Sequence, residues 1–506
     1  MNPPSSERYL QAIPRLRSGL LPEASFLRYK LLIPLILLGL ALQSPAADDE
    51  LIVKLASELK TKDLLEVHRT IKKIKAKPKL HVQAALMLVQ KIRTNSDTES
   101  LYAADALMAL GPGTTPSRVH AAMIGHPLPL VKAVGIIWLT EKKEIPDAAV
   151  GPLVTLWSDP RWVPRMGPVM QYLVKRKDSK LAVESLLPLL KHKDVLVRIR
   201  AIRMLGMLGK KGEAARRELR RVQAVKQPVL RAMASSALYQ ITGDLRVNQV
   251  VCLDSLKITD DGTKYYTLMA LMGFGKENLK VFDQITKLFT HKSRVMRQQA
   301  ATVVARIGKD AIPKVIKLLK AKDPLVRESA AFALGEMHQV AKPATKALAA
   351  AYQDDDARVR AEAISALGGL RTAAKEAEPT IRAALQDSDK ETRQTAGTAI
   401  WLVAKRANLA APILISFVDD KKNPRPQREY FLDMLIKVAP HSKLVVPAMM
   451  RWIDDKDFGV RAAACIALRK INKPTPKIIA ALKAKLTDKK FDVQREAARA
   501  IVALEK

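Results

Sequence analysis

Two cysteines in 506 residues, Cys252 and Cys465, leave no room for a disulfide framework. They lie more than six repeat lengths apart in the stacked architecture argued below, so they are not expected to meet within one chain. Cys465 follows Ala462, Ala463 and Ala464 and reads as a small core residue. Aromatic residues make up only 5%. That scarcity near the basic clusters removes the stacking platform that single-stranded nucleic acid needs. None of the eight histidines, His68, His81, His120, His126, His192, His291, His338 and His441, is followed by glutamate, and no two stand four apart, which excludes the HExxH zinc pattern. G-x-S-x-G and the Walker loop are also missing. Gly209-Lys210-Lys211-Gly212 imitates a nucleic-acid-binding GXXG loop but lacks the flanking strands and reads as a turn. Gly111-Pro112-Gly113-Thr114-Thr115 likewise reads as a turn. Acids are short relative to bases: 86 Lys and Arg face 50 Asp and Glu, a net charge of +36.

Long apolar runs are scarce as well. One run, Leu31 to Leu42, is too short to span a bilayer comfortably and fits the apolar core of a secretory signal behind a basic start containing Arg8, Arg15, Arg17, Arg28 and Lys30. Ser44-Pro45-Ala46 offers a cleavage site after Ala46. Residues 1–46 are therefore expected to be a signal peptide or, uncleaved, a membrane anchor. The corresponding location is periplasmic or extracellular, or membrane-attached through this segment alone.

What is abundant is alanine and leucine at a helical period. Asp323-Pro324-Leu325-Val326-Arg327 leads into Ala330, Leu334 and Gly335, and the +3 and +7 steps from the arginine put Ala330 and Leu334 on one helix face. Asp323 and Pro324 supply the start signals of that helix. Copies are anchored at Arg198, Arg360 and Arg461, and with looser detail at Arg231, Arg297, Arg393, Arg428 and Arg495; Lys132 and Arg165 hold the position upstream. Tyr265 replaces the arginine in one copy but keeps Leu268, Met272 and Gly273. The anchors recur at about 33 residues, the length of one stacked helical unit. Asp194, Asp261, Asp323, Asp356, Asp389 and Asp457 each stand four residues before an anchor. Pro313, Pro379 and Pro447 stand near the start of an additional helix in their units, where proline costs little. A unit therefore reads as helix, turn with Asp, helix, and a turn containing glycine.

The D-x-x-V-R-x-x-A-x-x-A-L-G core at Asp323–Gly335 and Asp356–Gly368 resembles HEAT repeats, specifically the short HEAT-like units named after phycobilisome lyases. The resemblance is strong over 180–506, fair over 126–180 and weak before that. It implies an all-α solenoid, a right-handed superhelix of helix-turn-helix repeats with second helices lining the concave side. The expected division is diverged N-terminal repeats over 47–125, with an end face that no neighbour covers, continuous with a HEAT-like solenoid over 126–506. The family contains scaffolds, adaptors and a few enzymes, so it does not assign an activity. The paired His-Glu motifs of HEAT-repeat deoxyhypusine hydroxylases are missing here.

The repeated pairs Asp194/Arg198, Asp323/Arg327, Asp356/Arg360, Asp389/Arg393 and Asp457/Arg461 are expected to form a structural ladder: the aspartate caps the second helix and pairs with an arginine of its own or the next repeat. Function is expected where copies differ. Between Lys191 and Arg231 thirteen bases face only Asp194, Glu213 and Glu218, and a second basic excess runs from Lys54 to Arg93. Lys210, Lys211, Arg216, Arg217, Arg220 and Arg221 are the candidate contacts, with like charges at i,i+4 that helix stability alone does not favour. Trp157 and Trp162, flanking Asp159-Pro160, are candidate partly exposed interface anchors, whereas Trp138 and Trp401 are expected to pack between repeats. The functional expectation is a monomeric, non-enzymatic, cofactor-free scaffold that binds another protein. The alternative is a polyanion binder for nucleic acid, anionic lipid or acidic polymer. A lyase-like enzyme is the remote third.

Overall fold

The computed structural model describes residues 50–505, except 62, 93–97, 114, 116, 143–144, 160–161, 163–169, 177, 259, 439–443 and 471–473. The expected signal or anchor over 1–46 and the anchor Arg165 lie outside the described residues. The described residues form α- and 3-10 helices joined by short turns, with no strand among them. They divide into two compact units: residues up to Ala214 together with Thr475–Lys506, and Ala215–Pro474.

In the second unit the helices alternate as the period predicts. First helices include Phe282–Thr286, Ile312–Leu318, Thr345–Ala351 and Glu378–Ala384. Second helices include Asp261–Leu271, Arg294–Ala305, Pro324–Glu336, Ala357–Leu370, Lys390–Ala404, Arg425–Val438 and Phe458–Leu468. From Asp261–Leu271 through Lys390–Ala404 each second helix packs on the next, and Arg425–Val438 packs on Phe458–Leu468. Ala407–Asp419 packs against both Lys390–Ala404 and Arg425–Val438. The +3 and +7 positions form the core: Ala300, Ala330, Ala363, Ala396, Ala464, Val304, Leu334, Leu367, Ile400 and Leu468 are all fully buried.

The glycine of the repeat core has a different purpose from the turn expected of it. Gly335 and Gly368 lie inside helices and have ordinary helical φ. A Cβ on Gly335 would fall 3.0 Å from Ala366 Cα, and one on Gly368 would fall 3.2 Å from Ala399 Cβ. The glycine lets neighbouring second helices approach backbone to backbone. The left-handed turn comes later, eleven residues after the anchor. Gly308 takes it with φ 83°, but His338 (φ 53°) and Arg371 (φ 55°) occupy the same place without being glycine. In the Tyr265 copy the helix is capped by Asp260, which accepts the Thr263 N–H, and not by Asp261.

The first unit departs most from expectation. Over residues 50–75 there are two helices, Glu50–Thr61 and Leu64–Lys75, the second started by Asp63, which accepts the N–H groups of Leu65 and Glu66. The N-terminal end face is also covered. The C-terminal helix Phe491–Leu504 packs on Leu64–Lys75, and Ala498 enters the core formed by Leu59, Ile71, Leu88 and Leu107. Phe491 stacks on Tyr102 at 5.4 Å between centroids. Lys72 Nζ donates to the carbonyls of Val502 and Glu505, each at 2.9 Å, and Arg69 Nε donates to Glu505 Oε2 at 2.9 Å.

The centre of this docking is charged. Asp105 is fully buried on Thr98–Leu110. His68 Nε2 lies 2.7 Å from its Oδ2, Arg499 Nη2 donates to its Oδ1 at 2.5 Å, and Arg495 Nε stands 3.7 Å from Oδ1. Arg495 also pairs with Glu496 at 2.8 Å and Asp492 at 2.9 Å. Burial by itself would raise the Asp105 carboxyl, but Arg499, His68 and Arg495 outweigh it and hold it at about 2.

Candidate functional site: the outward face of the second helices

The repeated aspartates and arginines are structural, but the pairing differs from the one expected. Asp194, Asp323, Asp356, Asp389 and Asp457 each accept a backbone N–H in the first turn of the following helix. They are caps. The arginines meet a different carboxylate, 27 residues downstream in the next turn. Arg327 reaches Asp354 through Nε at 2.6 Å and Nη2 at 2.8 Å. Arg360 reaches Asp387 at 3.0 Å twice, and Arg428 reaches Asp455 at 2.6 and 3.2 Å. These are bidentate, charge-assisted pairs. Asp354, Asp387 and Asp455 also accept the backbone N–H of the capping residue two positions on. Arg327, Arg360, Arg393 and Arg461 each donate Nη1 to two carbonyls of their own turn. Arg327, Arg360, Arg393 and Arg461 therefore tie their own turn, and Arg327 and Arg360 tie the next turn as well. The signal was present in the sequence as Arg followed by Asp at +27.

The Arg297 copy departs from this pattern. The residue 27 after Arg297 is Pro324, which caps nothing and carries no charge. Arg297 turns to Glu328 on the next second helix, with Nη2–Oε2 at 2.9 Å, while still holding the carbonyl of His291 at 3.0 Å. Arg294 Nε stands 3.3 Å from Glu328, and its Nη2 lies 3.7 Å from Glu362. Phe332, Gln298 and Ser329 line the shallow cleft around these charges. Burial raises the Glu362 carboxyl to about 7, with Glu328, Glu391 and Glu336 adding to the shift and Arg294 opposing it.

Either side of this cleft, positions that face away from the core change from copy to copy. Two residues after the anchor stand Gln299, Ser329, Glu362, Thr395 and Tyr430; five after it stand Thr302, Phe332, Ser365, Thr398 and Asp433. Tyr430 is 46% exposed, and of the ten only Ser329 is buried.

The candidates named from sequence separate. Lys210 and Lys211 are exposed and belong to the first unit, where Lys211 donates to the carbonyl of Arg176. Arg216, Arg217, Arg220 and Arg221 lie on Arg216–Gln223 in the second. That helix buries Leu219 and exposes Arg217, Arg220 and Arg221, with Arg221 paired to Glu218 at 2.5 Å. Trp162 is only 7% exposed and so presents no exposed ring, whereas Trp157 is half-buried, with its carbonyl accepting from Arg200 at 3.2 Å. Trp138 is fully buried against His120, and Trp401 is half-buried with Lys405 Nζ 4.9 Å over its ring. Cys252 and Cys465 are both buried, and burial raises the Cys252 thiol. Among the described residues no group of three or more His, Cys, Asp or Glu side chains is placed to hold a metal ion.

Comparison with known proteins agrees with the repeat geometry. HEAT repeats are matched over residues 282–368, 345–431 and 428–503. No curated protein matches the chain by sequence. Among solved structures, the complex of CpcE and CpcF of phycocyanin lyase from Nostoc shares 19% identity, covering 47% of this chain and 94% of that one, with a TM-score of 0.30. The karyopherin Kap121p, bound to the extreme C-terminus of the protein phosphatase Cdc14p, shares 13% identity over 92% of this chain and 58% of that one, with a TM-score of 0.37. An engineered protein shares 20% identity over 84% and 99%, with a TM-score of 0.25. The caps, the arginine ladder and the matched segment agree on an all-α solenoid that carries HEAT repeats over residues 282–503.

Proposed function

We propose that the protein is a non-enzymatic scaffold that binds another protein along the outward face of its second helices. One observation carries this reading. Positions that serve the fold keep their identity from copy to copy, whereas the outward positions between Gln299 and Asp433 do not. A surface needed only for solubility has no reason to place Phe332, Glu362 and Tyr430 within four consecutive copies. Repeat arrays offer such extended faces to macromolecular partners. The test is a photo-crosslinking amino acid placed at Phe332, at Tyr430 and, as a control, at Lys317 on a first helix. The expected result is one stoichiometric partner protein captured from the first two positions and not from the third. Capture that is equal at all three, or nil at the first two, overturns the reading.

A second reading has its own observation. Arg217 and Arg220 stand exposed on a helix anchored by Leu219, an arrangement suited to a polyanion. It predicts strongly salt-dependent binding to heparin or nucleic acid, abolished by Arg217→Glu with Arg220→Glu.

A further inference from the structure

A separate charged surface lies on the first helices of the second unit. Segments 276–292, 309–322 and 338–351 carry eleven lysines against Glu277, Asp283 and Asp310, and contain no arginine. All eleven are exposed, and among the described residues none forms an ion pair. They occupy equivalent places in successive copies. Lys287 and Lys317 stand ten residues before their anchors, Lys292 and Lys322 stand five before, and Lys309 and Lys342 stand eighteen before. Stacked helices lie roughly 10 Å apart, so equivalent lysines form rows at about that spacing. Lys314 Nζ sits 5.1 Å over the Phe282 ring of the preceding copy, which shows how closely the first helices adjoin. The field is bounded. The preceding segment, 244–260, contains one lysine, and the following one, 371–388, balances its bases with Glu376, Glu378 and Asp387.

Nothing in the fold accounts for it, because no lysine of the field packs or pairs within the stack except Lys314 over its ring. The chemistry narrows the partner. Ammonium groups on flexible stems are point charges without the planar fork that reads phosphate geometry. The aromatic rings of these segments, Phe282 and Phe289, are buried, so no base can stack. Rows that link adjacent copies, in a field that spans three copies and runs along each helix, make a two-dimensional array, which matches a plane of headgroups better than a single line of phosphates. We propose that this lysine face docks the second unit on the anionic headgroups of a lipid surface. The contact is independent of the scaffold reading, lies on the other helix layer, and adds to any membrane attachment through the N-terminal segment.

The test uses the full chain and phosphatidylcholine vesicles with or without an equal share of phosphatidylglycerol. The variant is Lys287→Gln, Lys292→Gln, Lys317→Gln and Lys322→Gln together. All four side chains are exposed, so the melting temperature should not change, and circular dichroism checks this. A lysine near an anionic surface contributes roughly fivefold in partitioning, so the quadruple variant should bind anionic vesicles several hundredfold more weakly. Binding of the parent chain should fall steeply at high salt. Binding to pure phosphatidylcholine, which includes any contribution of the N-terminal segment, should be the same for both proteins. The proposal is overturned if the parent prefers neither vesicle, if the variant binds anionic vesicles as the parent does, or if duplex DNA at equal phosphate concentration displaces the parent from them.

Discussion

The docking of the chain's two ends and the stacking of its central copies solve the same packing problem with opposite chemistry. Between Pro324–Glu336 and Ala357–Leu370 the closest contact is alanine on glycine, and outside the Arg294, Arg297, Glu328 and Glu362 cluster the ion pairs sit in the turns, where Arg327 and Arg360 grip carboxylates that keep some access to water. Between Phe491–Leu504 and the N-terminal helices, Asp105, Arg495, Glu496 and His68 lie in the contact itself with almost no exposure. Apolar stacking tolerates any neighbour of the right shape. A buried ion cluster costs much of its Coulombic gain in desolvation, yet it penalises every wrong partner heavily. The period does not align the two docked segments with each other, and a polar cluster is one way to specify a single register between segments about 400 residues apart in sequence.

The largest expected effect tests that contrast directly. Asp105→Asn leaves Arg495 and Arg499 buried without their shared carboxylate and should cost about 3–5 kcal/mol of the first unit's stability, measured by chemical denaturation. Its pH signature is specific. A carboxyl held at about 2 contributes stability that is fully present above its unfolded value near 3.8 and is lost as pH falls through about 2. The variant should lack that acid-side loss, and retention of it would place the acid sensitivity elsewhere.

Glu362→Gln probes a charge that its surroundings resist. The folded carboxyl stands near 7 against an ordinary 4.5, so ionising it opposes folding increasingly as pH rises from about 4.5 to 7. The variant should be more stable than the parent above pH 7, by up to about 3 kcal/mol, and the gain should vanish below pH 4.5. A pH-independent difference would mean that Glu362 is ionised throughout.

Arg360→Ala should cost about 2 kcal/mol, since it removes a bidentate pair and two carbonyl contacts at a turn that retains partial hydration. Combined with Asp387→Ala the loss should be less than additive, because the two side chains share one interaction. Full additivity would show that the ladder does not couple adjacent copies. The smallest effect is a gain. His338→Gly and Arg371→Gly relieve a left-handed backbone in which an L side chain is strained, and each should raise stability by up to about 1 kcal/mol in thermal unfolding.

Much of this was legible before any coordinates. The period, the capping aspartates and the buried alanine–leucine face all follow from local rules, and the helices start where Asp323, Asp356 and Asp457 stand. The glycine was misread because spacing reports that a residue is small without saying whether its freedom of φ or its missing Cβ matters. Neighbouring Ala366 and Ala399 decide that. Trp162 differs for a similar reason: a turn position suggests exposure, but the ring is buried. The arginine partners were recoverable from the +27 spacing, whereas the diversion of Arg297 required knowing that Pro324 leaves it without an acceptor.

By itself the sequence determined a repeating helical unit, its caps and the composition of each face, because these depend on interactions within a few turns of one another. The docking of Phe491–Leu504 on Leu64–Lys75, the depressed carboxyl of Asp105 and the raised one of Glu362 were decided only by tertiary structure. Each depends on which distant groups exclude water from the same place, and no local period encodes that.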